Sequence, residues 1–342
     1  MKLLLTADPE IPIPPEYYGG IERIIDMVTR SLVERGHEVH LMAGDGSMPA
    51  CEVSAWPGRS SLSGFDTLRN SVALTRAVRR GKFDLVHSFS RLAYMAAILP
   101  APIPKLMTYQ REITKRTVNA AQKLSRGTLE FSGISQWMVE GVRHIGNWHV
   151  VPNGVPLRIY DFNPVAASDA PLVFLGRVEK IKGPHLAIEI AKRSGRNLVI
   201  AGNVPEGHRA WADHHVLRHS DGKQIQFVGP VDDKQKNILL GSAAAFLMPI
   251  LWEEPFGIVM AEAMACGTPV LGMRRGAVPE VVEDGVTGFV RDSVDELVDS
   301  VKNITKIDRV ACRNRVEALY SDRAVVDGYE AIYMGMIEKA VR

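Results

Sequence analysis

Short runs of consecutive apolar residues alternate along the chain with stretches in which apolar residues recur every three or four positions. KLLLTA is followed by IERIIDMVTRSLVERG, then by HEVHLMAG, and later come FDLVHSFS and PKLMTYQ. Runs of the first kind read as buried strands and stretches of the second kind as helices, so the pattern predicts βα units around a parallel sheet. From Ile21 to about Arg35, Ile21, Ile24, Ile25, Val28 and Leu32 share one helical face, with Gly19-Gly20 setting its start and Gly36 its end.

The periodicity lapses in WHVVPNGVPLRIYDFNP, Trp148 to Pro164, where strand, turn and proline signals mix. It restarts with PLVFLGRV, PHLAIEIAKRSG, NLVIAG, IQFVGP, AAAFLMPI, the helix around Glu262, TPVLGM and GFVRD. The prediction is two doubly wound domains, residues 1–157 and 158–322, followed by a closing helix, 323–342, that packs back on the first. Two such domains joined by a hinge would leave a cleft between them for ligands.

Bulk properties narrow this little. The 342 residues suit two cores, and 46% hydrophobic with 23% charged residues is the composition of an ordinary soluble globular protein. A net charge of +2 argues against a nucleic-acid partner. Cys51, Cys266 and Cys312 form no CxxC pair, which points to a reducing compartment, the cytoplasm by default, and to no structural zinc. The opening MKLLLTADPE is too briefly apolar for a signal peptide, and no segment suits a membrane span.

The candidate chemistry is local. In LGRVEKIKG a strand ends at Gly176, so Arg177 and Lys182 sit in the loop at the carboxyl edge of the sheet, where doubly wound folds bind ligands. Two cations there suit a diphosphate; taken alone, the stretch reads as readily as a solvated basic loop. In WEEPFGIVMAEAM, Pro255 and Gly257 place a helix start near Ile258, leaving the N–H groups of Gly257, Ile258 and Val259 for an anion. Glu254 and Glu262 would stand about 12 Å apart were the segment wholly helical, enough to straddle a phosphate. On spacing alone they read equally as a loop surface residue and a helix residue facing solvent. Gly19-Gly20, opening a helix after the first strand, would allow close approach to a ligand, although a plain helix start explains it as well.

Other motifs exclude more than they assign. There is no GxGxxG after a strand and no Asp-x-Asp, so neither a dinucleotide fingerprint nor a metal-bridged phosphate site is expected. His215 and His219 stand four apart in HRAWADHHVLRH but lack a third ligand, so a solvent-facing polar helix is the better reading. From Lys105 to Arg126, six basic residues, Lys105, Arg111, Lys115, Arg116, Lys123 and Arg126, face a single acid, Glu112, a run that would suit an anionic acceptor or a membrane surface as well as plain solvent.

EPFGIVMAEAMACGTPV, with GGIERIIDMVTRSLVERGHEVHLMAG, SGISQWMVEGV, VVPNGV, GRVEKIKG and GAVPEVVEDGVTGF, resembles the retaining glycosyltransferases of family 4, two Rossmann-like domains in the GT-B arrangement. The resemblance implies a metal-independent hexosyl transfer from a nucleotide sugar to an acceptor, with no cofactor. Arg177 and Lys182 would hold the donor diphosphate. Glu262 would bind the ribose hydroxyls, and Glu254, the first acid of the family's E-x7-E signature, would lie against the sugar near the Gly257–Val259 amides. Gly19 and Gly20 would approach from the other domain. Two positions depart from the family: Gln110 replaces a common histidine near the sugar, and Arg274-Arg275 precede Gly276 and Ala277 where paired glycines are usual. His87, ending DLVH, is a polar residue that would line the cleft without being catalytic. An inactive sugar-nucleotide-binding module and a GT-B epimerase remain the alternatives.

Overall fold

The computed structural model describes residues 1–16 and 19–341; Tyr17 and Tyr18, within the PPEYYGGIER loop, lie outside them. The chain divides into two compact units, Met1–Asn153 with Asp322–Arg342, and Gly154–Ser321.

The first unit runs β1 (Lys2–Thr6), α1 (Gly20–Glu34), β2 (Glu38–Ala43), β3 (Glu52–Ala55), α2 (Gly64–Gly81), β4 (Leu85–Ser88), a 3-10 helix (Leu92–Ile98), β5 (Lys105–Tyr109), α3 (Lys115–Leu124), β6 (Leu129–Gly133), α4 (Gln136–Glu140) and β7 (Trp148–Val150). Its seven strands are parallel in the order β3-β2-β1-β4-β5-β6-β7. Leu3, Leu4 and Leu5 are all fully buried, because helices cover both faces of the sheet and the strand needs no alternation. One face is packed by α2, the 3-10 helix and α3: Leu74, Tyr94, Met95, Val118 and Ala121 share a core with Leu4, Val86, Met107 and Phe131.

The second unit runs β8 (Leu172–Leu175), α5 (Pro184–Ser194), β9 (Leu198–Ala201), α6 (Arg209–His215), β10 (Ile225–Gly229), α7 (Asp233–Ser242), β11 (Ala245–Met248), α8 (Ile258–Ala265), β12 (Val270–Met273), α9 (Val278–Val281), β13 (Gly288–Arg291), α10 (Val294–Val301) and α11 (Arg309–Leu319). Its sheet is parallel in the order β10-β9-β8-β11-β12-β13, so the direction of winding reverses between β8 and β11. Both units are Rossmann-like, as the alternation predicts.

The periodicity puts the join at 157/158, whereas the units meet at Asn153 and Gly154. Backbone pairing explains the difference: Val155 N–H donates to the Tyr320 carbonyl at 2.8 Å and Val155 bridges Ser321, tying this stretch to the second unit. The closing helix, α12 (Asp322–Val341), begins at once after Ser321 and belongs to the first unit.

There α12 lies against α1 and buries Tyr329 and Tyr333 completely. His87, at β4, is enclosed with them. Its Nδ1 bonds the Tyr333 hydroxyl at 2.5 Å and its Nε2 the Thr108 hydroxyl at 2.7 Å, and burial holds its pKa down at about 3. His87 is therefore a neutral core residue and lines no ligand site, a correction to the sequence reading.

Glu130 on β6 is the buried end of another tie. Its carboxylate accepts from His149 Nε2 at 2.5 Å and from Lys339 Nζ of α12 at 2.9 Å. The His149 bond is the largest of several effects that bring its pKa from an ordinary 4.5 to about 2. A depressed carboxyl pKa adds stability that is present above 4.5 and is lost as pH falls toward 2. Glu130→Gln is expected to cost about 2 kcal/mol at neutral pH, discounted from a fully buried pair because Lys339 is solvated. The gap from the wild type should narrow below pH 4.5 and close as pH falls to about 2 in urea melts, and an unchanged gap there would remove Glu130 from this role.

Lys105 corrects the basic segment. It is fully buried, its ammonium donating to the carbonyls of Ala101 (2.7 Å) and Ile103 (2.8 Å) and to Thr128 Oγ1 (2.6 Å), and burial lowers its pKa to about 8. It offers nothing to a surface; Arg111, Lys115, Arg116, Lys123 and Arg126 are exposed.

Candidate functional site

The turn after β8 starts at Gly176, and the backbone runs through a 3-10 helix, Lys180–Lys182, that is stopped by Gly183 in the left-handed conformation (φ 78°). A Cβ on Gly183 would stand 2.0 Å from the Pro249 carbonyl oxygen, so only glycine lets this loop touch the loop leaving β11. That contact brings the two loops of the switch point together, at the carboxyl edge where such sheets bind ligands.

There Lys182 Nζ meets Glu254 Oε2 at 2.8 Å. The same oxygen accepts from Trp252 Nε1 at 3.1 Å, and the ammonium lies 4.5 Å from the centre of the Trp252 ring. Glu254 is 8% exposed, not the loop surface residue that spacing alone allows. Its backbone is clamped by Gly276 (φ 53°), where a Cβ would stand 2.3 Å from the Glu254 carbonyl oxygen, and by Ala277 N–H, which donates to that oxygen at 2.8 Å. Arg177 turns toward Glu179, a buried carboxylate at 2.8 Å, without hydrogen-bond geometry on that oxygen. The guanidinium is thus steered by charge but retains its donors.

Gly257 (φ 77°) is the N-cap of α8, which starts at Ile258 as the turn signals predict. The first backbone bond at this end runs from Met260 N–H to the Gly257 carbonyl at 2.9 Å, so the N–H groups of Gly257, Ile258 and Val259 stand at the open helix start. All three residues are half-buried.

Glu262 is the one charged residue of IVMAEAMA and is 6% exposed. Two donors converge on its Oε1, Tyr160 Oη at 2.6 Å and Lys236 Nζ at 2.6 Å; Lys236 also lies 3.2 Å from Asp233. Burial would lower the Lys236 pKa, but the charges and hydrogen bonds of Glu262 and Asp233 together outweigh it and the net shift is upward. Burial, reinforced by the Glu262 charge, pushes the Tyr160 phenol far up, so it stays a hydrogen-bond donor. Both bonds fall on one oxygen, which leaves Oε2 able to accept from a ligand hydroxyl.

In the first unit, Gly19 and Gly20 stand at the start of α1, where a Cβ on Gly19 would lie 2.7 Å from Pro15 Cβ. Gln110, just past β5, makes a reciprocal amide pair with Asn153: Nε2 donates at 2.9 Å and Oε1 accepts at 2.8 Å. The same sheet edge carries Asp8, half-buried, whose pKa is raised by burial although Arg111 lies 4.0 Å away, and Glu22, 6% exposed and likewise raised.

The structure thus joins Lys182 to Glu254, and pairs Arg177, Glu262 and Gln110 with residues that the sequence reading does not single out: Glu179, Lys236 with Tyr160, and Asn153. Glu262 carries a signal that foretells its partners, since a lone acid in an apolar helix cannot be buried without donors. Arg274 and Arg275 each meet an acid, Asp292 at 3.1 Å and Glu253 at 3.3 Å. His215 ends α6 stacked on Trp211 at 5.1 Å, while His219 falls in a following 3-10 turn. Among the described residues no three His, Cys, Asp or Glu side chains gather as a metal site would require.

Two family models match, Glycosyltransferase Family 4 over residues 18–158 and Glycosyl transferases group 1 over residues 161–318. The phosphatidyl-myo-inositol mannosyltransferase of Mycobacterium leprae is 28% identical, over 92% of this chain and 88% of that one. Sucrose-phosphate synthase from Thermosynechococcus elongatus superposes with a TM-score of 0.79 at 18% identity, covering 99% of each chain. Anabaena HepE in complex with UDP-glucose superposes with a TM-score of 0.73 at 17% identity, covering 98% of this chain and all of that one. With one model on each Rossmann-like unit and GT-B glycosyltransferases among its structural neighbours, the chain belongs to the family 4 type of glycosyltransferases.

Proposed function

We propose that this glycosyltransferase moves a hexose from a nucleotide diphosphate sugar to a hydroxyl acceptor with retention at the anomeric carbon, requiring no metal and no cofactor. The observation that carries the reading is the grouping at the β8/β11 switch point of Lys182, Glu254 and Trp252 with the open N–H groups of Gly257, Ile258 and Val259. The diphosphate lies against those N–H groups, Lys182 and Arg177. Glu262 accepts from the ribose hydroxyls and Glu254 from the sugar hydroxyls. In the first unit, Gly19 and Gly20 are the residues assigned to the phosphates or the acceptor, and Gln110 is the one assigned to the sugar.

As the bond from the anomeric carbon to the phosphate oxygen breaks, the acceptor oxygen bonds that carbon from the same face and its proton passes to the departing diphosphate. Stabilising the negative charge that grows on the diphosphate is the main electrostatic task, and the cations and amides are suited to it. HepE, crystallised with UDP-glucose, supports a nucleotide sugar as partner, and the mannosyltransferase relative supports a hexose. The free cysteines support a cytoplasmic location.

Incubating the protein with a panel of nucleotide sugars, read by thermal shift and by release of nucleoside diphosphate, should give one preferred donor with slow hydrolysis. Failure to bind any of them would overturn the reading. One observation favours a second reading, a sugar-nucleotide-binding module without turnover: Gln110 is tied to Asn153 where related enzymes commonly present a histidine. That reading predicts thermal stabilisation by the donor with neither hydrolysis nor transfer.

A further inference from the structure

In the loop that leaves β11, Leu251 N–H donates to the Ile181 carbonyl at 2.8 Å, which pins this segment to the 3-10 turn that carries Lys182. The next residue, Trp252, is half-buried, and its indole meets two charged groups at once. The ring edge donates Nε1–H to Glu254 Oε2 at 3.1 Å, and the centre of the ring lies 4.5 Å from the Lys182 ammonium, within cation–π reach. Lys182 Nζ meets the same Oε2 at 2.8 Å. Both donors fall on one carboxylate oxygen, so Oε1 is the oxygen left to accept from a ligand.

A diphosphate would act on these two donors differently. The ammonium is a cation on a flexible four-carbon stem, and an arriving diphosphate competes with Glu254 for it. The indole is neutral, rigid and a donor only, so an anion has no charge by which to draw it off the carboxylate. Glu254 is 8% exposed and has little water to turn to once the ammonium is shared. The Trp252 N–H is then the donor that stays.

We infer that Trp252 is a positioning residue for hexosyl transfer: its indole N–H holds the Glu254 carboxylate in place for the sugar hydroxyls while Lys182 engages the diphosphate. Trp252 acts through Glu254 and needs no contact with the reacting atoms. A carboxylate fixed at one oxygen presents the other in a single direction, and such a fixed acceptor is what lets a site tell one arrangement of sugar hydroxyls from another. This role rests on the donor site proposed above, in which Glu254 faces the sugar and Lys182 the phosphates.

The test takes the full chain with UDP-glucose, UDP-galactose and GDP-mannose as donors and with UDP and GDP as nucleoside diphosphates, read by calorimetric titration and by diphosphate release. Trp252→Phe keeps an aromatic face beside Lys182 and removes the N–H. Its affinity for the nucleoside diphosphate should stay within about twofold of the wild type, which also shows the site to be folded. Its affinity for the nucleotide sugar and its kcat should each fall at least about tenfold, the scale of one charge-assisted hydrogen bond. Trp252→His, which restores a ring N–H, should retain more of both than Trp252→Phe. In a Glu254→Ala background, Trp252→Phe should cost no more than about twofold further, because the carboxylate it would release is absent. Three results would each overturn the role: a Trp252→Phe variant that matches the wild type, equal losses for diphosphate and nucleotide sugar in both Trp252 variants, or an undiminished loss in the Glu254→Ala background. A wild type that binds none of the probes would instead overturn the proposed donor site, and the role of Trp252 with it.

Discussion

Lys182→Ala is expected to lower kcat for hexosyl transfer by about 10²–10³-fold and to weaken binding of the nucleoside diphosphate roughly tenfold or more. Lys182 is in contact with Glu254 at 2.8 Å in a largely buried pocket, so its charge acts in a medium far less screening than water. Removing one preorganised donor from a site of developing negative charge typically costs that much in kcat. A charge-assisted hydrogen bond to the ground-state diphosphate accounts for the loss in affinity. Glu254→Ala should behave differently. The carboxylate is assigned to the sugar, so turnover should fall by a comparable factor while nucleoside diphosphate affinity stays within about twofold. Calorimetric titration with nucleoside diphosphates, beside steady-state kinetics on the preferred donor, separates the two variants. If Glu254→Ala lost nucleotide affinity and kept kcat, the roles given to the two residues would be reversed.

The architecture is legible in the sequence because it rests on periodicity. Strands buried on both faces leave apolar runs such as LLLTA, and α1 keeps Ile24, Ile25, Val28 and Leu32 on its buried side. The start of α8 is legible for the same local reason, since Pro255 and Gly257 fix the turn before Ile258. What sequence spacing does not carry is pairing across long separations. Lys236 meets Glu262 across 26 positions and Tyr160 meets it across 102, and nothing in DKQKNILLGS or RIYDF marks either residue as a partner. Lys105 shows the converse. It reads as one more surface cation in a basic run, yet β5 carries it into the interior, where two carbonyls and a threonine hydroxyl hold the ammonium. His87 reads as a cleft-lining residue for a similar reason, since its enclosure depends on α12 arriving from the far end of the chain.

Lys236→Met should destabilise the protein by about 3–5 kcal/mol, the cost of leaving a buried carboxylate without its cation. The side chains of Lys236 and Glu262 are only 11% and 8% exposed, so solvent does little to replace the lost partner. In a unit of this size the loss corresponds to roughly a 10 °C drop in its melting temperature. Tyr160 still donates to Glu262 in this variant, which limits the damage. Lys236→Met/Glu262→Gln removes the uncompensated charge and should recover more than half of the lost stability, the non-additivity expected of residues in direct contact. The double variant should nevertheless bind the nucleotide sugar poorly, because Glu262 is the group assigned to the ribose; recovery of both stability and affinity would take Glu262 out of the donor site. The pH dependence has a definite sign. The folded-state pKa of Lys236 is raised above its ordinary 10.5, so its contribution is complete at every pH below that value and fades only as pH climbs through the raised one. The difference in stability between wild type and Lys236→Met should therefore be level across the neutral range and narrow only in strongly alkaline solution, and a gap that closed near neutrality would mean that Lys236 is not the cation facing Glu262.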